Sequence, residues 1–126
     1  MSRTILIVDD SAIIRHSLRS CIEQNSDWEV CGEAENGQVA VEKVKELRPD
    51  VVILDLQMPV MNGFEAADQI SHLAPRTAIL MLTLHECEQV SQDAHAAGIQ
   101  DVLSKSDDVM DHLLASLSNV GARRAA

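Results

Sequence analysis

Residues 51–63 read VVILDLQMPVMNG: four apolar residues, Val51 to Leu54, run straight into the carboxylate of Asp55, and a loop bearing Pro59 and Gly63 follows. An uninterrupted apolar run bounded by turn residues is the pattern of a strand covered on both faces, as in a parallel sheet. A second run, Ile5 to Val8, ends in the same way at Asp9 and Asp10. Two buried strands that deliver acid at their C-terminal tips bring three carboxylates within reach of one small site.

Along the whole chain, five short β-rich runs alternate with segments of helical period. The runs are Thr4 to Val8, Trp28 to Ala34, Val51 to Leu54, Ala78 to Leu82 and Ile99 to Leu103. Between them Ile14, Leu18, Cys21 and Ile22 share one helix face, as do Ala40, Val44 and Leu47, and near the end Met110, Leu113, Leu114 and Leu117. Ser11 is placed to cap the first helix, Pro49 closes the second, Gly98 ends the fourth, and Gly121 predicts a stop for the last. The second run, WEVCGEA, alternates and belongs at an edge. Right-handed crossovers then predict a flavodoxin-like (βα)5 fold, a doubly wound parallel sheet with strand order 2-1-3-4-5.

A chain of 126 residues, 46% of them apolar, supports one domain with one continuous core. We expect that domain to span residues 1–120, with 121–126 a flexible tail or the start of a truncated linker. No apolar stretch approaches the roughly 20 residues that cross a bilayer, and MSRTILIV lacks the pattern of a signal peptide, so a cytoplasmic protein is expected. The formal charge of −10 argues against direct nucleic-acid binding, and Arg123 and Arg124 are too few to reverse that. Cys21, Cys31 and Cys87 match no zinc spacing and are expected to be reduced core thiols.

In strand order 2-1-3-4-5 the first and third strands are neighbours, and the switch point between them is where Asp9, Asp10 and Asp55 should converge. The fourth strand ends at Thr83 and the fifth leads to Lys105, so the central strand tips carry polar groups toward one edge. Two carboxylates about 4 Å apart repel by roughly 4 kcal/mol at an effective dielectric near 20. A bound cation relieves that repulsion, and an oxygen-only, incomplete protein shell suits Mg²⁺, with Mn²⁺ as a substitute in vitro. Beside such an ion Asp55 has the chemistry of a nucleophile toward phosphorus. Lys105 and Thr83 are then placed to neutralise and hold the transferred oxygens.

The segments ILIVDDS, VVILDLQMPVMNG, ILMLT and DVLSK, in this order and spacing, resemble the receiver domain of two-component response regulators, the CheY-like superfamily. The texture is similar to the nitrate-regulator type, in which a helix-turn-helix domain usually follows. That resemblance implies Asp55 as the phosphoacceptor, Asp10 and Asp55 as direct Mg²⁺ ligands, Asp9 acting through water, and the backbone carbonyl of Gln57 completing the protein ligands. It implies Thr83 and Lys105 as the holders of the phosphoryl oxygens. The donor would be a phosphohistidine on a sensor histidine kinase or a histidine phosphotransfer protein. Output would pass to a downstream protein or a missing C-terminal output domain, with a homodimer through helix 4, strand 5 and helix 5 as one form. The chain would assist its own phosphorylation and dephosphorylation without being a turnover enzyme.

Three positions depart from the family pattern. Val102 stands where many receivers carry an aromatic switch residue, so ring rotation toward Thr83 is not the signalling step. Leu84 follows Thr83 where a small residue is preferred, and its bulk is expected to slow access of small donors and of water to the phosphoryl group; Leu84→Ala should raise both rates. Ser106 replaces a common proline, which makes a cis peptide there improbable. Met58 and Pro59 read as loop packing, while Gln57 is placed to influence attack by water. The competing reading is a phosphorylation-independent interaction module of the same fold. A flavin carrier would need a hydroxyl- and glycine-rich loop where VDDSAIIR stands, and an aspartyl phosphatase a second acid where Gln57 stands.

Overall fold

The computed structural model describes residues 3–56, 61–83, 88–105 and 108–125, with backbone alone for 88–91 and 121–125. Gln57, Met58, Pro59, Leu84, His85, Cys87 and Ser106 lie outside the described residues. In β3 (Val51–Asp55) every residue is buried, as a strand sheathed on both faces must be. The same holds for β4 (Ala78–Thr83) and for the last four residues of β1 (Arg3–Val8). β2 (Trp28–Ala34) alternates buried and open positions and lies at one edge, with β5 (Asp101–Ser104) at the other. All pairings are parallel, in the expected order β2-β1-β3-β4-β5.

Side chains on successive strand residues point to opposite faces, so each central strand feeds two cores. Ile5, Ile7, Ile53, Leu80 and Leu82 pack with Leu18 and Ile22 of α1 (Ala12–Asn25) and Leu113 and Leu117 of α5 (Val109–Ala125). On the other face Leu6, Val52, Leu54 and Met81 meet α2 (Gly37–Leu47), α3 (Gly63–Leu73) and Ala94 of α4 (Glu88–Ala96). Among the described residues no helix is long and apolar enough to cross a membrane.

Short polar side chains start the helices. Ser11 Oγ accepts from the Ile14 amide at 3.3 Å, Asn36 Oδ1 from Val39 at 2.9 Å, and Asn62 Oδ1 from Glu65 at 3.0 Å. Asn36→Ala should therefore lower unfolding free energy by about 1 kcal/mol, read as a shifted urea midpoint at constant slope. Arg48 ends α2 in the left-handed region at φ 49°, its amide returning to Val44 O, and Pro49 follows. Gly98, at φ 87°, closes the turn after α4.

Three expectations need correction. Leu47 does not complete the buried stripe of α2: it is 37% exposed, lying against Gly32 of the edge strand, and Val41 takes the buried place beside Ala40 and Val44. A last-turn residue overhanging an edge strand has no neighbouring strand to cover it. Helix α5 does not stop at Gly121 but continues to Ala125. Glycine ends a helix when it turns left-handed, as Gly98 does; held in helical geometry it costs about 1 kcal/mol relative to alanine and the helix goes on.

Cysteine burial is the third. Cys21 and Cys31 are free, as expected, but only partly buried. Cys31 sits where the β1–β2 register shifts between Ile5 and Leu6, and its thiol donates to Ile5 O at 3.4 Å. Burial pushes the Cys31 thiol above the usual range. We expect Cys31 to react with iodoacetamide at neutral pH more slowly in the folded chain than in urea, by peptide mass spectrometry.

Candidate phosphoacceptor and metal site

The register of the sheet builds the site. Val8 pairs with Leu54, so Asp9 emerges beside Asp55; Asp55 in turn pairs with Leu82, next to Thr83. Asp9 is fully buried, Asp55 and Thr83 nearly so, and Asp10 is exposed at the mouth. Asp9, Asp10 and Asp55 each offer a carboxylate oxygen, and these oxygens lie within 4.8 Å of one another. The three acids read from the strand ends are thus brought together.

Lys105 completes the group. Its amide donates to Thr83 O at 2.7 Å, anchoring the residue just past β5. Its Nζ lies 3.1 Å from Asp9 Oδ2 and 3.0 Å from Asp55 Oδ1. Burial disfavours the charged amine, but the bonds to Asp55 and Asp9 outweigh it, and the net effect raises the Lys105 pKa above its ordinary 10.5. Because the folded value is the higher one, the stabilisation is complete below the ordinary value and is lost only as pH rises through the folded value. The stability difference between the native chain and Lys105→Met should stay level from about pH 8 and narrow only in strongly alkaline solution, by urea titration.

Leu56 and Gly63 are both tied to the strand tips. Leu56 N donates to Leu82 O at 3.0 Å, and Gly63 N to Leu56 O at 2.9 Å. A Cβ on Gly63 would stand 2.6 Å from Asp55 O and 2.8 Å from the Leu56 Cα, so the start of α3 reaches the strand tip only because residue 63 has no side chain.

The β1–α1 turn is pinned in three places. Asp9 N donates to Ala34 O at 3.0 Å, Ser11 N donates to Asp9 Oδ1 at 2.9 Å, and Arg15 Nη1 donates to Asp9 O at 2.6 Å. Neither Arg15 nor its partner Glu33 is marked by sequence pattern, since their meeting depends on the edge-strand register. Ser116 on α5 is also buried and donates to Asp101 Oδ2 at 2.6 Å, a pairing equally invisible in the one-dimensional pattern. Val102 is 9% exposed and packs in the core beneath α4 with Met81, Ala94 and Ile99.

The donor set fits a hard divalent cation. It is all oxygen, and three carboxylates facing one ammonium leave two negative charges unmatched.

Comparisons with known proteins cover most of the chain. The family model described as the response regulator receiver domain matches residues 5–117. The chemotaxis protein CheY of Thermotoga maritima is 40% identical over 105 residues, covering 83% of this chain and 87% of that protein. The chain also matches longer proteins, spanning 28% of a protein-glutamate methylesterase/protein-glutamine glutaminase of Idiomarina loihiensis at 39% identity over 83% of its own length. Among solved structures, the response regulator domain of Thermotoga maritima CheB superposes with a TM-score of 0.84 at 31% identity, covering 97% of this chain and 96% of that one. CheY in the CheX-CheY-BeF3-Mg²⁺ complex from Borrelia burgdorferi gives 0.85 at 26% identity, covering 92% and 87%.

Proposed function

We infer the role of each site residue from one premise: the chain belongs to the response regulator receiver domain family. Phosphorylation-based switching is the standard role of that family. Here Asp55 is the phosphoacceptor. One of its oxygens attacks the phosphorus of a phosphohistidine, the P–N bond breaks as the P–O bond forms, and the histidine nitrogen leaves with the electron pair. The product is an acyl phosphate on residue 55.

The carrying observation is the Lys105 ammonium held about equally by Asp9 and Asp55 at the tips of adjacent strands. Lys105 is already charged and already at the attacking carboxylate, so it can transfer a hydrogen bond to a phosphoryl oxygen without being recruited from solvent. Thr83, buried at the neighbouring tip, supplies the hydroxyl for a second phosphoryl oxygen. Asp10 and Asp55 directly, Asp9 through water, and the backbone carbonyl of Gln57 would hold Mg²⁺, or Mn²⁺ in vitro. Such an ion, when bound, would supply positive charge to the phosphoryl oxygens. Support for Mg²⁺ comes from the oxygen-only donor set and from the Borrelia burgdorferi complex that contains it.

Residues 1–120 form the receiver unit of a cytoplasmic protein whose donor is a sensor histidine kinase or a histidine phosphotransfer protein. The acyl phosphate shifts an existing equilibrium toward a different face on α4, β5 and α5, through which a downstream partner, an output domain or a second copy is engaged. With Val102 packed in the core, the shift is a repacking beneath α4 and involves no ring rotation. The site assists gain and loss of one phosphoryl group per chain and does not turn over a substrate. With a small acyl phosphate and Mg²⁺, intact-mass analysis should show one added phosphoryl group, lost in EDTA and in Asp55→Asn. A mass gain that persists in Asp55→Asn would refute the assignment, and no gain in any condition would favour the phosphorylation-independent module.

A further inference from the structure

Arg15 stands one helical turn beyond the Ser11 cap, and its guanidinium turns back onto the strand tip. Nη1 donates to Asp9 O at 2.6 Å while Nε donates to Glu33 Oε1 at 2.9 Å. The other Glu33 oxygen takes Arg19 Nη1 at 2.7 Å. The Arg15 side chain is 17% exposed, far less than the 42% of Arg19, so its bonds are shielded from water. A charged donor at this distance to a main-chain oxygen is among the stronger hydrogen bonds a protein makes.

The carbonyl that receives it belongs to the peptide joining Asp9 to Asp10. Fixing that carbonyl restrains the rotation of the peptide plane, and with it ψ of Asp9 and φ of Asp10, the two backbone dihedrals that place the flanking side chains. Asp9 has its own restraints at Ala34 and Ser11. Asp10 is exposed and stands on the C-terminal side of that peptide, so the position of its Cα follows the peptide plane. Glu33 has a second part: it neutralises a guanidinium that would otherwise repel a cation entering nearby.

We propose that Arg15, braced by Glu33, is a positioning residue for divalent-cation binding, holding the Asp9–Asp10 peptide so that both carboxylates meet Asp55 at one ion. The inference rests on the Mg²⁺ reading given above. The plain alternative is that Arg15 only ties α1 to the edge strand.

Mg²⁺ titration of the ¹⁵N-labelled full chain, followed at the Asp10 and Ser11 amides, separates these. Arg15→Ala should weaken Mg²⁺ about tenfold, the scale of loss when a partner behind a metal ligand is removed. Glu33→Gln keeps the shape, removes the counter-charge and should weaken it less. Arg15→Lys keeps the charge but not the fork that spans Asp9 O and Glu33, and should recover only part of the affinity. Val44→Ala, buried on the opposite sheet face, should lower thermal stability and leave Mg²⁺ affinity unchanged. Wild-type affinity in Arg15→Ala, or equal weakening in Val44→Ala at equal stability loss, would overturn the proposal. If the native chain saturates with Mg²⁺ and Arg15→Ala saturates at the same concentration, this inference alone fails; if the native chain shows no Mg²⁺-dependent shift, the Mg²⁺ reading fails with it.

Discussion

Lys105→Met is expected to slow Mg²⁺-dependent phosphorylation of Asp55 by about a hundredfold, the usual loss when one preorganised donor to a developing oxyanion is deleted. The same substitution should tighten Mg²⁺ binding. In the native chain the ammonium occupies Asp9 Oδ2 and Asp55 Oδ1, and an incoming cation must share those oxygens with it. Removing one positive charge from a site of three acids makes the remaining field more attractive to a divalent ion. Without Mg²⁺ the variant should lose about 1–3 kcal/mol of stability, between the values for exposed and buried ion pairs, because two buried carboxylates lose their counter-ion. Saturating Mg²⁺ should restore much of that loss through linkage and stabilise the variant more than the native chain. Stopped-flow phosphorylation and thermal melts against Mg²⁺ concentration test both halves. An unchanged rate would remove Lys105 from the chemistry, and weaker Mg²⁺ binding would refute its role as a competitor.

Gly63→Ala carries the second large effect. The added methyl would meet Asp55 O and the Leu56 Cα inside van der Waals distance, and both are backbone atoms that cannot turn aside. Relief requires moving the start of α3 or the tip of β3, at about 2–3 kcal/mol by the usual cost of overpacking. Because the tip of β3 is Asp55 itself, phosphorylation should fall along with stability. Gly32→Ala is the contrast: its Cβ would meet Leu47 Cδ1, the end of a half-exposed side chain that can swing away. We expect less than about 1 kcal/mol there and no change in phosphorylation. Urea denaturation and intact-mass kinetics on the two variants give the comparison, and equal effects would contradict the close approach of Gly63 to the tip of β3.

The sheet was legible in the sequence because burial on both faces leaves a mark in one dimension. Val51 to Leu54 and Ile5 to Val8 have no polar residue to spare, and an acid appears only where each run escapes the helices. Once strand order followed from the alternation in WEVCGEA and from crossover handedness, the meeting of Asp9, Asp10 and Asp55 followed too. Lys105 was placed at the site by its position after the fifth run. Its simultaneous hold on Asp9 and Asp55 depends on the path of a side chain, which no spacing encodes.

The misreadings occur where an element's neighbours, and not its own period, decide the outcome. Leu47 obeys the helical repeat and is still exposed, because the helix ends over an edge strand. Gly121 carries a stop signal that acts only if the backbone turns left-handed. The Arg15–Asp9 and Ser116–Asp101 bonds join elements through strand register, so each partner looks ordinary when read alone. Cys21 and Cys31 fit the composition of core thiols yet are only partly buried, Cys31 at the β1–β2 register shift.

Chemical trapping of the acyl phosphate tests most directly whether Asp55 is the phosphoacceptor. After phosphorylation with Mg²⁺ and a small acyl phosphate, borohydride reduction converts a phosphorylated aspartate to homoserine, and tandem mass spectrometry of the digested chain locates it. Homoserine is expected at residue 55, dependent on Mg²⁺. Homoserine at residue 9 or 10 in place of 55, or none under conditions that add a phosphoryl mass, would contradict that assignment.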